Sequence, residues 1–338
     1  MKVLVTGGAG YIGSHTCAVF ARHGLDVTIF DNFSKSAPET ADRIETASGR
    51  TVKVIVGDVL DSDLLLNVLR CGSYDAVVHF AGLKSIGESL TDPLAYYRTN
   101  VIGTLNLLDA IKVTSTRIFV FSSSASVYGS PTSCPVHEDA RIAPTNPYAQ
   151  TKCIVENVMT SLHAADPTWR FAALRYFNPV GAHESGLLGE EPTHEVSNLL
   201  PVALEVALQR RSELLIYGDD YPTDDGTGVR DYIHVMDLAE GHLAALRYLT
   251  RVPDTVTVNL GTGRGISVLQ MVTALERASR VDIQTRIVPR RAGDVAACYA
   301  DVERAKNLLG WQAVRTVEDM CADAWRWASI KLSGRQSN

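Results

Sequence analysis

Tyr148 and Lys152 lie four residues apart near the start of a predicted helix, so their side chains share one helix face. A buried lysine ammonium close to a tyrosine hydroxyl favours the phenolate and lowers the pKa of the phenol from about 10. Such a tyrosine acts as a general base near neutral pH. The spacing alone is a weak signal, because a tyrosine and a lysine often share the exposed face of a helix.

Three consecutive hydroxyls strengthen the interpretation. Ser122, Ser123 and Ser124 stand at the end of a predicted strand, 24 residues before Tyr148. Packing explains three such hydroxyls poorly, although a turn or a helix cap is the simpler alternative. These residues predict a site for proton transfer at the end of the strand.

A glycine-rich turn, Thr6-Gly7-Gly8-Ala9-Gly10-Tyr11-Ile12-Gly13, follows the first predicted strand and opens the first predicted helix. Gly7 permits a tight turn, Gly10 lets the backbone approach a pyrophosphate, and Gly13 lets the helix pack on the strand. The pyrophosphate would bind the free N–H groups at the positive end of the helix. The spacing G-x-x-G-x-x-G indicates a subgroup of dinucleotide-binding proteins, with a glycine turn that binds nothing as the alternative.

Acidic and small residues follow the next strands. Asp31 ends the second predicted strand, 18 residues beyond Gly13, where a carboxylate hydrogen-bonds the adenosine ribose and repels a 2′-phosphate. The sequence therefore favours NAD over NADP. Asp58, after the third strand, is placed to meet the adenine or else caps a helix. Phe80-Ala81-Gly82 ends the fourth strand, and the small residues there would let the backbone pass close to the cofactor.

The elements that position these residues alternate short apolar runs with helical stretches. Such runs are typical of strands buried on both faces, and their order predicts an α/β fold with a doubly wound parallel, Rossmann-type sheet. The predicted strands are 2–6, 27–30, 52–56, 76–80, 117–121 and 171–176. The predicted helices are 12–23, 38–47, 62–69, 93–112 and 148–164.

Beyond about residue 178 the sequence is richer in glycine, proline and acidic residues, which predicts a smaller C-terminal α/β lobe that closes over a substrate. We predict an NAD-binding domain over residues 1–177 and a substrate-binding domain over 178–338, in a chain that can cross back between the two lobes. Further predicted helices are 198–210, 234–249 and 317–330, and further strands are 256–260 and 283–288.

Composition excludes several classes of protein. A chain of 338 residues suits two packed domains, and 46% apolar with 21% charged residues is typical of a soluble enzyme. The net charge of −6 disfavours nucleic acid as a partner. No apolar run predicts a membrane span or a secretion signal. The six scattered cysteines favour reduced thiols in a cytoplasmic protein.

Other chemistries have little support. His234, Asp237 and His242 share a predicted helix, but no third cluster joins them, so we predict structural roles and no metal site. The sequence has no G-x-S-x-G elbow and no P-loop, which disfavours a hydrolase and a kinase.

Longer strings identify a resemblance that runs from Met1 to about Trp327. TGGAGYIG, the SSS…YxxxK set, HFAGLKSIGES, LRYFNPVGAH, DGTGVRDYIHVMDLA and RRAGD resemble the UDP-glucose 4-epimerase branch of the extended short-chain dehydrogenase/reductase family. The first two are shared by the wider family. NPVGAH, GTGVRDYIHV and RRAGD are specific to the epimerase branch.

The resemblance implies interconversion of UDP-glucose and UDP-galactose through a 4-ketose, with tightly bound NAD regenerated in each turnover, and a place in galactose metabolism and polysaccharide synthesis. Tyr148 would remove the proton of the 4-hydroxyl, Ser124 would hydrogen-bond that hydroxyl, and Lys152 would bridge the nicotinamide ribose. The helices 93–112 and 148–164 would pair in a homodimer.

Together with the motifs, the resemblance implies two sets of contact residues. The cofactor set is Gly7, Gly10, Tyr11, Ile12, Gly13, Asp31, Asn32, Asp58, Val59, Phe80, Ala81, Gly82, Lys84, Thr99, Asn100, Ser122, Ser124, Tyr148, Lys152, Tyr176 and Phe177. The UDP-sugar set is Lys84, Ser124, Tyr148, Phe177, Asn178, Asn198, Leu199, Leu215, Ile216, Tyr217, Arg230, Arg291, Asp294 and Cys298. Arg230 and Arg291 would clamp the diphosphate, although a surface arginine is often only solvated.

Two positions depart from the family pattern. Thr99 stands where some relatives have asparagine beside the nicotinamide. Cys298 stands where members restricted to glucose and galactose have a tyrosine beside the sugar. A thiol there opens room for a 2-acetamido group, which predicts UDP-GlcNAc and UDP-GalNAc as further substrates, unless Cys298 only packs.

Two alternatives stay open. A nucleotide-sugar dehydratase or decarboxylase needs additional acid and base residues, and dehydratases usually carry an Asp-Glu pair that residues 124–126 lack. A non-catalytic protein that senses NAD typically loses the tyrosine or the lysine, and both are present here.

Overall fold

The computed structural model describes residues 1–191, 198–291 and 293–336, with side chains described as far as residue 331. The strands are β1 (Lys2–Thr6), β2 (Asp26–Asp31), β3 (Lys53–Val56), β4 (Ala76–His79), β5 (Ile118–Ser124), β6 (Arg170–Tyr176), β7 (Asn178–Val180), β8 (Leu214–Tyr217), β9 (Val229–Arg230), β10 (Tyr232–His234), β11 (Thr255–Leu260), β12 (Ile266–Ser267), β13 (Thr285–Val288) and β14 (Ala297–Cys298). The α-helices are α1 (Tyr11–Arg22), α2 (Thr40–Ser48), α3 (Ser62–Gly72), α4 (Ile86–Thr91), α5 (Pro93–Tyr96), α6 (Gly103–Lys112), α7 (Pro147–Ala165), α8 (Leu199–Ala207), α9 (Val235–Arg251), α10 (Val268–Ser279), α11 (Glu303–Leu309) and α12 (Val317–Gln336).

A seven-stranded sheet in the order β11-β6-β5-β4-β1-β2-β3 forms the centre of the fold, and every pairing in it is parallel. Alternate side chains of a strand enter different layers. Val5 joins a core with α1 and α9, whereas Leu4 joins a core with α3 and α6 on the opposite face. This arrangement confirms the predicted doubly wound α/β sheet.

The second half of the chain contributes to both parts of the fold. β11 forms one edge of the large sheet, and α9 packs against α1. The remaining elements build a smaller region around a separate core that includes Leu200, Met271 and Met320. The division of the chain at residue 177 stays a prediction.

The predicted helix 93–112 is helical throughout, but its middle is a π-helix instead of an α-helix. α5 and α6 flank a π-helical segment, Tyr97–Ile102. Asn100 in this segment is buried, and its side-chain amide bonds both the N–H and the C=O of Leu83 at 2.8 and 3.0 Å. The π turn thus places a polar side chain against the loop that follows β4.

Boundaries differ where patterns are short. β5 continues to Ser124, so the three serines belong to the strand itself, and β13 begins at Thr285. Strands of two or three residues such as β7, β9 and β12 were not predicted, because so few residues show no periodicity. Within the described ranges, no helix combines the length and the apolar character that spanning a membrane requires.

Candidate active site

The glycine turn connects β1 to α1 in close contact with the end of β4. Gly7 has φ +70°, and a Cβ there would lie 2.4 Å from the backbone nitrogen of Ala81. A Cβ at Gly13 would lie 2.2 Å from the carbonyl oxygen of Gly7. Gly10 is the N-cap of α1 and offers no side-chain bond to the helix N–H groups. The first turn of α1 therefore has uncapped donors that suit an anionic group.

Asp31 binds this turn as well as ending β2. Its carboxylate accepts the N–H of Ala9 at 3.0 Å, the N–H of Phe33 at 2.9 Å and the hydroxyl of Ser36 at 3.1 Å. Asp31 is 8% exposed. Sequence reasoning missed this structural role, which orients the carboxylate at the carboxyl edge of the sheet.

Asp58 lies beside Asn32, whose side-chain amide donates to it at 2.8 Å. Its carboxylate also accepts the N–H of Leu60. The alternative in which Asp58 caps α3 is wrong, because the N-cap is Asp61, which accepts the N–H of Leu64 at 3.0 Å. Asn32 and Asp58 thus form one polar pair after β2 and β3.

Tyr148 and Lys152 occupy the first turns of α7, which begins sharply. Asn146 is its N-cap and accepts the N–H of Ala149 at 2.9 Å, and proline fills the first helical position. The Lys152 ammonium donates to the carbonyl oxygen of Ser122 at 2.7 Å and lies 5.7 Å from the centroid of the Tyr148 ring. The structure therefore brings the tyrosine, the lysine and the serine strand together.

The pKa values of Tyr148 and Lys152 are both shifted by burial. Burial raises the pKa of Tyr148, and the hydroxyl of Ser124 opposes that effect. Burial lowers the pKa of Lys152 to about 8, opposed by the carboxylate of Glu156. The prediction of a lowered pKa for Tyr148 is wrong for the chain's own groups, because desolvation of the phenol is the largest effect.

Several of the predicted UDP-sugar residues in the second half of the chain form two groups. Arg230 donates to the carbonyl oxygens of Val229 and Val295 and pairs with Asp294 at 3.6 Å. Cys298 lies opposite Arg230 in the parallel pairing of β14 with β9. Thus three predicted residues, Arg230, Asp294 and Cys298, are neighbours.

The second group is a stacked pair. The guanidinium of Arg291 lies 3.7 Å from the ring centroid of Tyr217 at the end of β8. Asn198 is the N-cap of α8 but makes no side-chain cap bond. Leu199, Leu215 and Ile216 belong to α8 and β8 beside these two groups.

Lys84 has a partner that the sequence did not predict. Its ammonium contacts Glu190 at 2.5 Å and lies 5.9 Å from the ring of Tyr11. The hydroxyl of Tyr11 donates to the carbonyl oxygen of Gly181 at 2.7 Å. This cluster joins the start of α1 to the loop beyond β7.

The histidines of α9 have structural partners. His234 caps the helix and lies 3.2 Å from Asp323, and His242 contacts the carbonyl oxygen of Leu238 and the hydroxyl of Tyr176. Asp237 pairs with Arg315. Over residues 1–191, 198–291 and 293–336, no group of three or more His, Cys, Asp or Glu side chains converges on a metal-sized site.

Comparison with known proteins gives the family. The GDP-mannose 4,6 dehydratase family model matches residues 4–324. The chain is 47% identical over 337 residues to a UDP-glucose 4-epimerase of Bacillus subtilis, covering 100% of this chain and 99% of the relative. The chain belongs to the UDP-glucose 4-epimerase family.

Solved structures agree with the fold of this enzyme. A UDP-glucose 4-epimerase from Stenotrophomonas maltophila, with bound NAD and formylated UDP-arabinopyranose, superposes with a TM-score of 0.97 at 44% identity and 99% coverage of both chains. One from Bifidobacterium longum, in complex with NAD+ and UDP, gives a TM-score of 0.93 at 46% identity, covering 99% of this chain and 100% of that chain. The resemblance inferred from the motifs is confirmed.

Proposed function

We propose that the enzyme interconverts UDP-glucose and UDP-galactose by transient oxidation at C4 of the sugar. The observation that carries this proposal is the meeting of Tyr148, Lys152 and Ser124 at the carboxyl edge of the sheet. The uncapped start of α1 lies at the same edge. A proton acceptor and a dinucleotide can therefore act on the same carbon.

The residues around the glycine turn fit NAD. Gly7 and Gly13 have no room for a side chain, and α1 offers free N–H groups to a pyrophosphate. The oriented carboxylate of Asp31 suits a ribose diol and repels a 2′-phosphate. When bound, NAD+ supplies the hydride acceptor and a positive charge that favours the phenolate.

The chain's own groups would manage the proton and the orientation. Tyr148 would hold the proton taken from the 4-hydroxyl and return it after the ketose has turned over. Ser124 faces the Tyr148 hydroxyl and would bond the same sugar oxygen. Lys152, anchored on Ser122, would bind the nicotinamide ribose and keep the phenol in place.

The proposed activity can be tested with purified protein and UDP-galactose without added cofactor. Chromatography of the products should show UDP-glucose, because NAD stays bound and is regenerated within each turnover. Net consumption of added NAD would instead indicate a dehydrogenase and contradict the proposal.

We also propose that the sugar pocket accepts UDP-GlcNAc and UDP-GalNAc. Cys298 is partly exposed in β14 beside Arg230, and a thiol occupies less volume than a phenol ring. Chromatography with each of the four UDP-sugars tests this. Turnover of UDP-glucose without detectable turnover of UDP-GlcNAc would reject it.

We further propose a cytoplasmic homodimer. The α4–α6 stretch exposes large apolar side chains, with Leu90 and Leu94 each 63% exposed and Ile102 48% exposed. A two-fold dimer would bury this same surface on both subunits. Sedimentation should give a dimer, and Leu94→Glu should shift it towards monomer. The cysteines are free thiols, which fits a reducing compartment; cell fractionation tests that location.

A further inference from the structure

Glu156 extends the catalytic face of α7 by one turn. Tyr148, Lys152 and Glu156 follow one another at intervals of four residues, so their side chains line one side of the helix. The Glu156 side chain is only 12% exposed. A carboxylate this buried is normally paired.

The partner of Glu156 is Arg175 on β6. The guanidinium donates from Nε at 3.1 Å and from Nη2 at 2.7 Å to the two carboxylate oxygens, and Arg175 is 7% exposed. The hydroxyl of Ser123 donates to the same carboxylate. Ser123 and Arg175 lie opposite each other in the parallel register of β5 and β6, so one carboxylate of α7 binds two adjacent strands.

Arg175 continues the network away from the helix. Its Nη1 donates to the hydroxyl of Tyr128 at 3.0 Å and to the carbonyl oxygen of Glu138 at 2.9 Å. The hydroxyl of Tyr128 in turn donates to Asn259 on β11 at 2.6 Å. The segment that follows β5 is thereby held in a fixed position relative to α7.

We propose that the Glu156–Arg175 ion pair is a positioning element for the epimerisation: it holds the Lys152 turn of α7 against the serine strand and balances the charge beside the lysine. Both residues act through others. Ser122, which accepts the Lys152 ammonium, and Ser124, which faces Tyr148, are the chain neighbours of Ser123, which Glu156 binds. The inference rests on the proposed function.

The ion pair affects the pKa of Lys152, and the direction of each contribution can be worked out. The charged and titratable groups next to Lys152 are Tyr148 and Glu156 on α7 and His79 on β4. On β6, Arg175 contacts Glu156, and Tyr176 contacts Ser122, the residue that accepts the ammonium. Glu156 raises the pKa of Lys152 against the effect of burial. Removing the carboxylate leaves an unpaired guanidinium and lowers that pKa further. Removing the guanidinium leaves an unpaired carboxylate and raises it.

Glu156→Gln and Arg175→Met should therefore shift the pKa of Lys152 in opposite directions. A loss of folding stability alone would not produce opposite shifts. We expect the alkaline limb of the kcat profile for UDP-galactose to move to lower pH in E156Q and to higher pH in R175M, each by about one unit. We expect kcat to fall about tenfold in both, because the lysine turn is less well placed, with KM little changed. Titration of the phenolate absorbance of the holoenzyme, with Tyr148→Phe subtracted, should show shifts in the same two directions.

The matched control is Asp237→Asn, which removes a buried carboxylate from its ion pair with Arg315 outside the site. It should lower the melting temperature and leave the pH profile in place. Glu156→Asp keeps the charge, so its alkaline limb should stay with the wild type. If either main variant fails to fold, Ser123→Ala provides a second test. The Glu156 carboxylate then loses the hydrogen bond from Ser123, so its negative charge is less compensated and the alkaline limb should move slightly to higher pH.

Two results would overturn the positioning role. In the first, E156Q and R175M lose stability as D237N does but keep the kcat and the pH profile of the wild type. In the second, the alkaline limbs of E156Q and R175M move in the same direction. Wild-type turnover in the same assay tests the epimerase activity itself. A wild-type protein without epimerisation would overturn the proposed function, whereas an active wild type with unshifted variants would overturn only the role of the pair.

Discussion

Lys152 donates its ammonium hydrogen bond to the main-chain oxygen of Ser122 across 2.7 Å, within 5.7 Å of the Tyr148 ring centroid. The lysine is thus anchored on the strand that carries the serines before any ligand is considered. Burial disfavours the charged form of both side chains, raising the pKa of Tyr148 and lowering that of Lys152. We therefore expect Tyr148 to form the phenolate only when a bound cofactor adds positive charge to that of the lysine.

The pKa of Lys152 near 8 predicts an alkaline limb in the rate. The ammonium is present below this pH and lost above it, so kcat should decline as the pH rises through about 8. Lys152→Arg should be slower but should show no such limb, because a guanidinium keeps its proton. The measurement is kcat for UDP-galactose from neutral to alkaline pH, and an unchanged limb in K152R would assign it to another group.

Tyr148→Phe removes the proposed proton acceptor and leaves the ring. We expect kcat to fall by about 10²–10⁴-fold, the range typical of a general base, with NAD retained and the melting temperature nearly unchanged. Tyr248→Phe is the control, because its hydroxyl makes only a long contact with Asp254 at 3.5 Å. Undiminished turnover by Y148F would show that the proton passes elsewhere.

Gly13→Ala places a methyl group 2.2 Å from the carbonyl oxygen of Gly7. The turn must open, so we expect the protein to purify with little or no bound NAD and to lose about 1–3 kcal/mol of stability. Gly87→Ala, where a Cβ meets nothing closer than 4.0 Å, should retain the nucleotide. Absorbance of nucleotide released on denaturation gives the occupancy, and full occupancy in G13A would contradict a cofactor role for the turn.

Cys298→Tyr should narrow the sugar pocket. A phenol ring fills the space proposed for the 2-acetamido group, so we expect kcat/KM for UDP-GlcNAc to fall at least tenfold while that for UDP-glucose changes little. Cys298→Ser preserves the volume and should keep both activities. Equal loss with both substrates in C298Y would mean that the residue shapes the strand pairing with Arg230 instead of the specificity.

Much of the fold and of the candidate site follows from local patterns. The buried apolar runs predicted the parallel sheet, because strands covered on both faces need no polar alternation. The glycine turn and the Tyr148–Lys152 spacing could also be predicted, because each depends only on the sterics or the helix geometry of a few consecutive residues. The π-helical turn around Asn100 was not predicted, since it depends on the loop at Leu83.

The amino-acid sequence by itself determined the fold class, the family and the residue types available for proton transfer and nucleotide binding. These properties follow from short-range periodicity and from motifs of a few residues. Only the tertiary structure decided the charges and the partners. Glu156 and Arg175 are 19 residues apart in the chain, yet the packing of α7 against β6 brings them to one carboxylate–guanidinium contact, one helical turn beyond Lys152. Burial likewise reversed the expected direction of the Tyr148 pKa, because desolvation depends on everything packed around the phenol.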